Sequence, residues 1–349
     1  MGVVDQEKIL MKKVDRALIT WAKAQLKNDQ IKITALAGDA SARCYYRVLQ
    51  EGAPSLVLMD ARQQRQECLP FLSIGDYLKK AGLITPEVYA SDVDQGFMLL
   101  TDFGDELLID RLQASGNQSG AFYRLAFGDI AKIQSINVAN LAEIKAFDAT
   151  FMMREMSLFQ EWFLSAYRDV KLSAGQEQQL TQSLSNITSY IAALPQCLMH
   201  RDFHSRNIMC LTGDKLGIID YQGAVIGPLV YDLVSLLKDC YISWPRQQVE
   251  AWVKHFYQHH LTRLQSDMIS EDQFLYAFDI VGLQRHLKCA GLFARLALRD
   301  QKTLYLSELP RVLGYISQVG QLYSEFSFFS DLLNKLEHTD TTLAEESSL

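Results

Sequence analysis

Positive charge is in short supply in this chain of 349 residues, with 34 Lys and Arg against 41 Asp and Glu and a formal net charge of −7. Binding to duplex nucleic acid draws on a basic surface, so a nucleic-acid partner is not expected. Long apolar runs are missing too. No stretch of about 18 apolar residues could span a bilayer, and the opening MGVVDQEKILMKKVDRAL places charge among its apolar residues, unlike a secretory signal. No membrane partner is expected, and the expected location is the cytoplasm. Cysteine is sparse: Cys44, Cys68, Cys197, Cys210, Cys240 and Cys289 form no C-x-x-C pair, which argues against a disulfide framework or a structural zinc site. With only 7 proline and 19 glycine residues, collagen-like and low-complexity classes are excluded. Neither G-x-x-x-x-G-K-[ST] nor G-x-G-x-x-G occurs, which removes the P-loop and dinucleotide-binding readings. Nothing in the sequence calls for an obligate protein partner.

What is present suits a packed core: 48% of residues are hydrophobic, and the length predicts about two domains. Ile9, Val14, Leu18, Trp21 and Leu26 recur at helical spacing, predicting an amphipathic helix over 4–26. Short runs rich in apolar, aromatic or alternating residues follow at 31–37, 43–49, 55–61, 88–91 and 96–103, and a helix over 64–81 ends at Gly82. From Gly104 onward the periodicity is helical, near 119–138, 149–168, 174–193, 228–241, 246–266, 270–299 and 303–336, broken by a loop and strand region at 197–222. The expected class is α+β, with a small antiparallel β lobe carrying one helix over 1–103 and a larger, mainly helical lobe over 104–338. The polar ending TDTTLAEESSL, from Thr339, is expected to be unstructured.

The most informative stretch is LMHRDFHSRNIMCLTGDKLGIID, Leu198 to Asp220. It sets Asn207 five residues after Asp202, then a predicted hairpin of Ile208–Leu211 and Leu216–Ile219, then Asp220. Phosphoryl transfer explains these residues in this order. A carboxylate must orient the attacking hydroxyl and take its proton, while an amide oxygen and a second carboxylate hold Mg²⁺ against the phosphates of ATP. Asp202 fits the first role, Asn207 and Asp220 the second, and one or two Mg²⁺ ions are implied. His200 reads as a structural residue that orients the loop. A zinc site from Cys197, His200 and His204 is disfavoured, since the two histidines would need a helix to share a face.

The tripeptide Asp102-Phe103-Gly104 spells the metal-binding signature of protein kinases but precedes the catalytic loop, where such a fold has its linker. Backbone groups of Leu100, Thr101 and Asp102 are therefore candidates for contacting adenine. Gly38, Asp39 and Ser41 lie in a short turn-prone piece whose amides suit phosphate. The lysine expected on the third strand is absent, since SLVLMDA offers Met59. Arg43 and Arg47, on one face of the preceding strand, are candidates to supply that cation, with Glu67 as partner.

The order of these motifs resembles the aminoglycoside phosphotransferase family, which has a two-lobed protein-kinase-like fold. Within it GDASARCYYRV, VLMDA, QECLPF, GFMLLTDFG, HRDFHSRN and YDLVSLLKDCYISWP resemble the sugar kinases that act on the anomeric hydroxyl of N-acetylmuramate and N-acetylglucosamine. The resemblance implies ATP- and Mg²⁺-dependent transfer of the γ-phosphate to a recycled cell-wall amino sugar, with Asp232 bracing the catalytic loop. Candidates for the acceptor are His204 and Arg206 on that loop, the latter matched to a carboxylate, Glu155 and Trp162 on a helix, and Asp239, Tyr241 and Trp244 from the last block. The alternatives are a kinase of the same family with another acceptor, such as an aminoglycoside or a choline-like amine, and a catalytically inactive nucleotide-binding module.

Overall fold

The computed structural model of the protein describes residues 14–36, 43–116, 119–261 and 263–346. The chain divides into two compact units, one holding the described residues up to Ser115 together with Arg206–Gly223, the other holding Gly116–Ser205 and the residues from Ala224 on.

The first unit is built on an antiparallel sheet of β1 (Lys32–Ala35), β2 (Cys44–Gln50), β3 (Ala53–Asp60), β4 (Val88–Asp92) and β5 (Phe97–Thr101), in the order β1-β2-β3-β5-β4. Strand alternation splits its residues between two faces. Tyr46, Val48, Leu56, Leu58, Phe97 and Leu99 pack on Leu18 and Ala22 of helix α1 (Arg16–Leu26), whose first turn is capped by the Asp15 carboxylate. Arg43, Tyr45 and Arg47 are therefore directed to the opposite face. A 3₁₀ turn over Arg62–Glu67 leads into α2 (Cys68–Lys80).

Two further pieces join this unit. After β5, the short helix α3 (Leu108–Ser115) follows a segment in which the Glu106 carbonyl accepts from the Cys210 amide. Cys210 belongs to the hairpin of β7 (Ile208–Leu211) and β8 (Lys215–Ile218), whose turn places Gly213 and Asp214 at φ of 74° and 53°. The hairpin also docks through the Ile218 amide on the Ile84 carbonyl, 2.8 Å. These hydrogen bonds are why 104–115 and 206–223 group with the strands, across the boundary that the periodicity sets at 103.

In the second unit, β6 (Gln196–Met199) and β9 (Val225–Pro228) form a two-stranded ladder. Around it run α4 (Ser119–Gln134), α5 (Ala149–Leu158), α6 (Ala174–Ala192), α7 (Tyr231–Leu237), α8 (Arg246–His260), α9 (Arg263–Met268), α10 (Glu271–Leu298), α11 (Leu309–Leu322) and α12 (Ser327–Glu346). The periodic run 303–336 is two helices, parted at the extended Tyr323, φ −126° and ψ 110°. Helix α12 continues through Glu346, so the ending expected to be unstructured from Thr339 is helical as far as it is described. The turns around Phe329, Leu332 and Leu333 are buried, and once a helix is nucleated each added residue costs little, most of all in a segment with Leu343, Ala344, Glu345 and Glu346.

Helix α5 passes at Phe159 into a π-helical stretch, Phe159–Tyr167. A Cβ on Gly291 of α10 would stand 2.2 Å from the Leu158 carbonyl carbon and 2.5 Å from the Phe159 amide nitrogen. The wider turn thus begins where α10 presses backbone to backbone against α5. Among the described residues no helix is long and apolar enough to cross a membrane.

Candidate active site

In the first unit the hairpin delivers Asp220. The Ile219 amide donates to the Asn207 carbonyl at 3.1 Å, so the two residues proposed as metal ligands are tied across the hairpin base. Asp220 has φ 61°, in the left-handed region, which a non-glycine residue occupies only when its surroundings hold it there. The hold is visible. Next to it, Tyr221 is buried and stacks on Phe71 of α2 with centroids 4.8 Å apart, above Gly75, where any Cβ would meet the Tyr221 hydroxyl at 2.8 Å. Phe103, of the kinase-like tripeptide, lies against Gly217, where a Cβ would come within 2.8 Å of its ring. That aromatic is packing for the hairpin.

Arg43 is buried and reaches Asp220 Oδ1 through Nη2 at 2.6 Å, with Glu67 Oε2 3.9 Å from its Nε. Gln222 Nε2 donates to the same Asp220 oxygen at 3.0 Å. Burial opposes the charge on Arg43, but Asp220 and Glu67 more than offset it and hold the guanidinium charged. Burial also pushes the neighbouring Tyr45 phenol up to about 12. Met59, directly opposite Tyr45 in the ladder, is 1% exposed, so the third strand presents a buried thioether where a lysine is usual in kinases.

Arg47 has a different post. Its Nε donates to Asp102 Oδ2 at 2.6 Å and its Nη2 to Asp105 Oδ1 at 2.8 Å, while Ser55 also donates to Asp102. This network staples the segment after β5 to the sheet and removes Arg47 as the substitute for the strand lysine. The linker candidates sit at the end of the sheet. Leu100 pairs with Val57 and Val88 inside the ladder, and the Thr101 amide already donates to the Glu87 carbonyl at 2.9 Å. Leu100 thus lies inside the ladder, and the Asp102 carboxylate is bonded to Arg47. Gly38, Asp39 and Ser41 lie outside the described residues.

In the second unit the loop after β6 is fastened from α7. Asp232, buried in the first turn of α7, accepts from the His200 amide at 2.7 Å and the Arg201 amide at 2.9 Å. Burial raises its carboxyl to about 6, against the pull of His200 and those two amides. Arg201 has φ 77°, and its carbonyl accepts from Ser235 Oγ at 3.2 Å. Asp239 secures the far end, accepting from the Ser205 amide at 2.9 Å, from Ser205 Oγ at 2.5 Å and from the Tyr241 amide at 2.9 Å. It is 0% exposed, so it cannot read an acceptor and is instead a brace of the loop. His200 is buried edge-on to Phe203, and His204 stands edge-on to Tyr241 with ring centroids 5.4 Å apart. Trp244 donates from Nε1 to the Tyr123 hydroxyl at 2.6 Å.

Asp202, between these fastenings, is held among cations. Lys288 Nζ lies 3.8 Å from its Oδ1, with Arg201, His204 and Arg285 also acting on it. Burial alone would raise its carboxyl, yet these charges hold it well below the usual carboxylate range, so it is ionised at neutral pH. Glu155 of α5 is not an acceptor group. It is 6% exposed, with Oε1 bonded to Arg201 Nη2 at 2.5 Å and 3.5 Å from Lys288, and Oε2 bonded to Gln284 at 3.1 Å. Trp162 is half-buried on the π-helical stretch and Arg206 half-buried ahead of β7. Gln284 and Lys288 are the residues that sequence reasoning missed. Their signal is the polar run Gln284, Arg285, His286 and Lys288 inside an otherwise apolar helix, because such groups are buried only with partners.

Residues 32–267 match the model of the phosphotransferase enzyme family, APH. The chain is 35% identical over 307 residues to the N-acetylmuramate/N-acetylglucosamine kinase of Pseudomonas putida, covering 87% of this chain and 88% of that protein. It is 33% identical over 323 residues to the protein of the same name from Neisseria meningitidis, covering 91% and 95%. Among solved structures it resembles the ADP-bound aminoglycoside phosphotransferase APH(2'')-Ib, with TM-score 0.59, 14% identity and coverage of 86% of this chain and 98% of that one. The fold is therefore protein-kinase-like.

Proposed function

Because the chain belongs to the phosphotransferase enzyme family, we propose that it is a sugar kinase, moving the γ-phosphate of ATP to the anomeric hydroxyl of N-acetylmuramate or N-acetylglucosamine in the recovery of cell-wall amino sugars. The observation that carries the chemistry is Asp202, ionised on a loop whose two ends are fastened by buried carboxylates. The acceptor class is supported by the names of relatives that match this chain over most of both lengths.

The residues divide the work. The Asp202 carboxylate accepts a hydrogen bond from the acceptor hydroxyl and takes its proton as the oxygen bonds to phosphorus, while ADP departs with the electrons of the broken P–O bond. A carboxylate held so acidic is a weak base in the ground state. It suits a loose phosphoryl transfer, in which the hydroxyl gives up its proton late. Arg43, anchored by Glu67, supplies the phosphate cation that β3 lacks. Asn207 and Asp220 offer a hard amide oxygen and a carboxylate. This donor set fits Mg²⁺, which takes one or two protein oxygens and completes its shell with phosphates and water. When bound there, the ion would neutralise charge on the β- and γ-phosphates.

The test is a panel of acceptors given to the purified protein with Mg²⁺ and ATP: N-acetylmuramate, N-acetylglucosamine, glucose, kanamycin and choline, with products identified by phosphorus NMR. A phosphate on carbon-1 of an N-acetyl sugar is expected. Phosphorylation of kanamycin or choline alone, or no product with any acceptor, would overturn the proposal.

A further inference from the structure

Lys288 comes to Asp202 from 86 positions further along the chain, on a helix that no part of the catalytic loop predicts. Its side chain is 10% exposed and that of Glu155 7%, whereas that of Asp202 is 36% exposed. Charged side chains therefore crowd a small volume, with Arg201, Lys288 and Arg285 as cations and Glu155 and Asp202 as carboxylates. Arg201 and Gln284 hydrogen-bond to the two Glu155 oxygens, so Lys288 approaches Glu155 as a charge rather than as its hydrogen-bond donor. Arg201 in turn is directed at Glu155 and lies over the Phe151 ring, 5.1 Å from its centroid. Lys288 is thus shared between two carboxylates, 3.5 Å from Glu155 and 3.8 Å from Asp202.

We propose that Lys288 is a positioning residue for phosphoryl transfer, holding the Asp202 carboxylate in the direction from which it takes the acceptor's proton. This rests on reading Asp202 as the proton acceptor. Glu155 has a matching part. As Asp202 gains a proton, its attraction for the ammonium weakens, and Glu155 at 3.5 Å keeps Lys288 in place through the step. A neutral donor would steer Asp202 but would lose its hold as that charge is neutralised. A cation with a second anchor keeps the same geometry before and after transfer.

The experiment is steady-state kinetics on the full chain with N-acetylglucosamine and Mg²⁺–ATP, together with thermal unfolding of each variant. Misplacing a reacting group costs on the order of a hundredfold, so Lys288→Met is expected to lower kcat by about that factor while both KM values stay within about twofold. Lys288→Arg is expected to recover most of the loss, and ethylammonium added to Lys288→Ala to restore part of it without affecting the parent protein. In an Asp202→Asn background, Lys288→Met should cause no further loss. If Lys288→Met perturbs folding, Lys288→Gln, which keeps a donor toward Glu155, is expected to show the same split. Unchanged kcat in Lys288→Met overturns the proposal. So does a loss that follows Tm and is cured by the Glu155→Gln/Lys288→Met pair, because the lysine would then serve Glu155 alone. Full turnover in Asp202→Asn overturns the role of Asp202 itself, and Lys288 falls with it.

Discussion

Gly291 offers a sharp test of how the second unit is packed, because two effects of opposite sign meet there. In a helix interior alanine is favoured over glycine by about 1 kcal/mol, so on propensity alone Gly291→Ala would stabilise the protein. The structure reverses that sign. The new Cβ would lie 2.2 Å from the Leu158 carbonyl carbon and 2.3 Å from its oxygen, where ordinary contact begins near 3.4 Å. These are backbone atoms, so no side chain can rotate away, and α10 must lift from α5 by about 1 Å. A gap of that size forfeits roughly a quarter to a half of the dispersion attraction between atoms facing each other across the crossing. Overpacking of this kind typically costs 1–3 kcal/mol. With packing loosened on both sides of the crossing, we expect a net destabilisation of about 2 kcal/mol. For a unit of this size that is a fall of about 4–8 °C in Tm. The shift also moves Lys288 relative to Glu155, so kcat should fall even where the protein remains folded. Differential scanning calorimetry and the kinase assay read the two effects. A Tm equal to or above that of the parent would refute the backbone contact and, with it, the account of the π-helical turn.

Other expectations concern the two fastened loops. Arg43→Ala should raise the KM for ATP and lower kcat by at least about tenfold, while Arg47→Ala should chiefly loosen the segment after β5 and lower Tm; the reverse pattern in ATP kinetics and unfolding would return the phosphate cation to Arg47. Asp239→Ala strands three donors in a site without solvent, and an unsatisfied buried donor costs about 1–3 kcal/mol, seen as a lower urea midpoint. A raised KM for sugar with unchanged stability would instead restore Asp239 to the acceptor site. Burial raises the Asp232 carboxyl to about 6 from an ordinary 3.8, so its contribution to stability is complete below about pH 4 and fades as pH rises through 6. Urea midpoints taken from pH 4 to 7 should show that decline in the parent and lose it in Asp232→Asn.

Much of the molecule was legible in one dimension because its signals are local. The strand runs, the helical periodicity and the hairpin over 208–218 follow from side-chain alternation and turn chemistry, which depend on near neighbours. The order Asp202, Asn207, Asp220 was legible for the same reason, as a loop and a hairpin tie these residues within a short stretch. Whether a charged residue faces solvent or a partner is a different question, since the partner is remote in sequence. Arg43 and Arg47 have the same spacing and face, yet only the packing of α2 and the hairpin gives one of them Glu67 and Asp220 and leaves the other to Asp102 and Asp105. Glu155 and Asp239 look like sugar-binding carboxylates in sequence, but tertiary burial converts them into a counter-ion and a brace. Lys288 meets Glu155 and Asp202 only because α10 crosses α5, and that approach depends on Gly291 having no side chain. Local propensity therefore determined the elements and the chemical alphabet of the site, while long-range packing and desolvation decided which of its charges are paired and which are left to act.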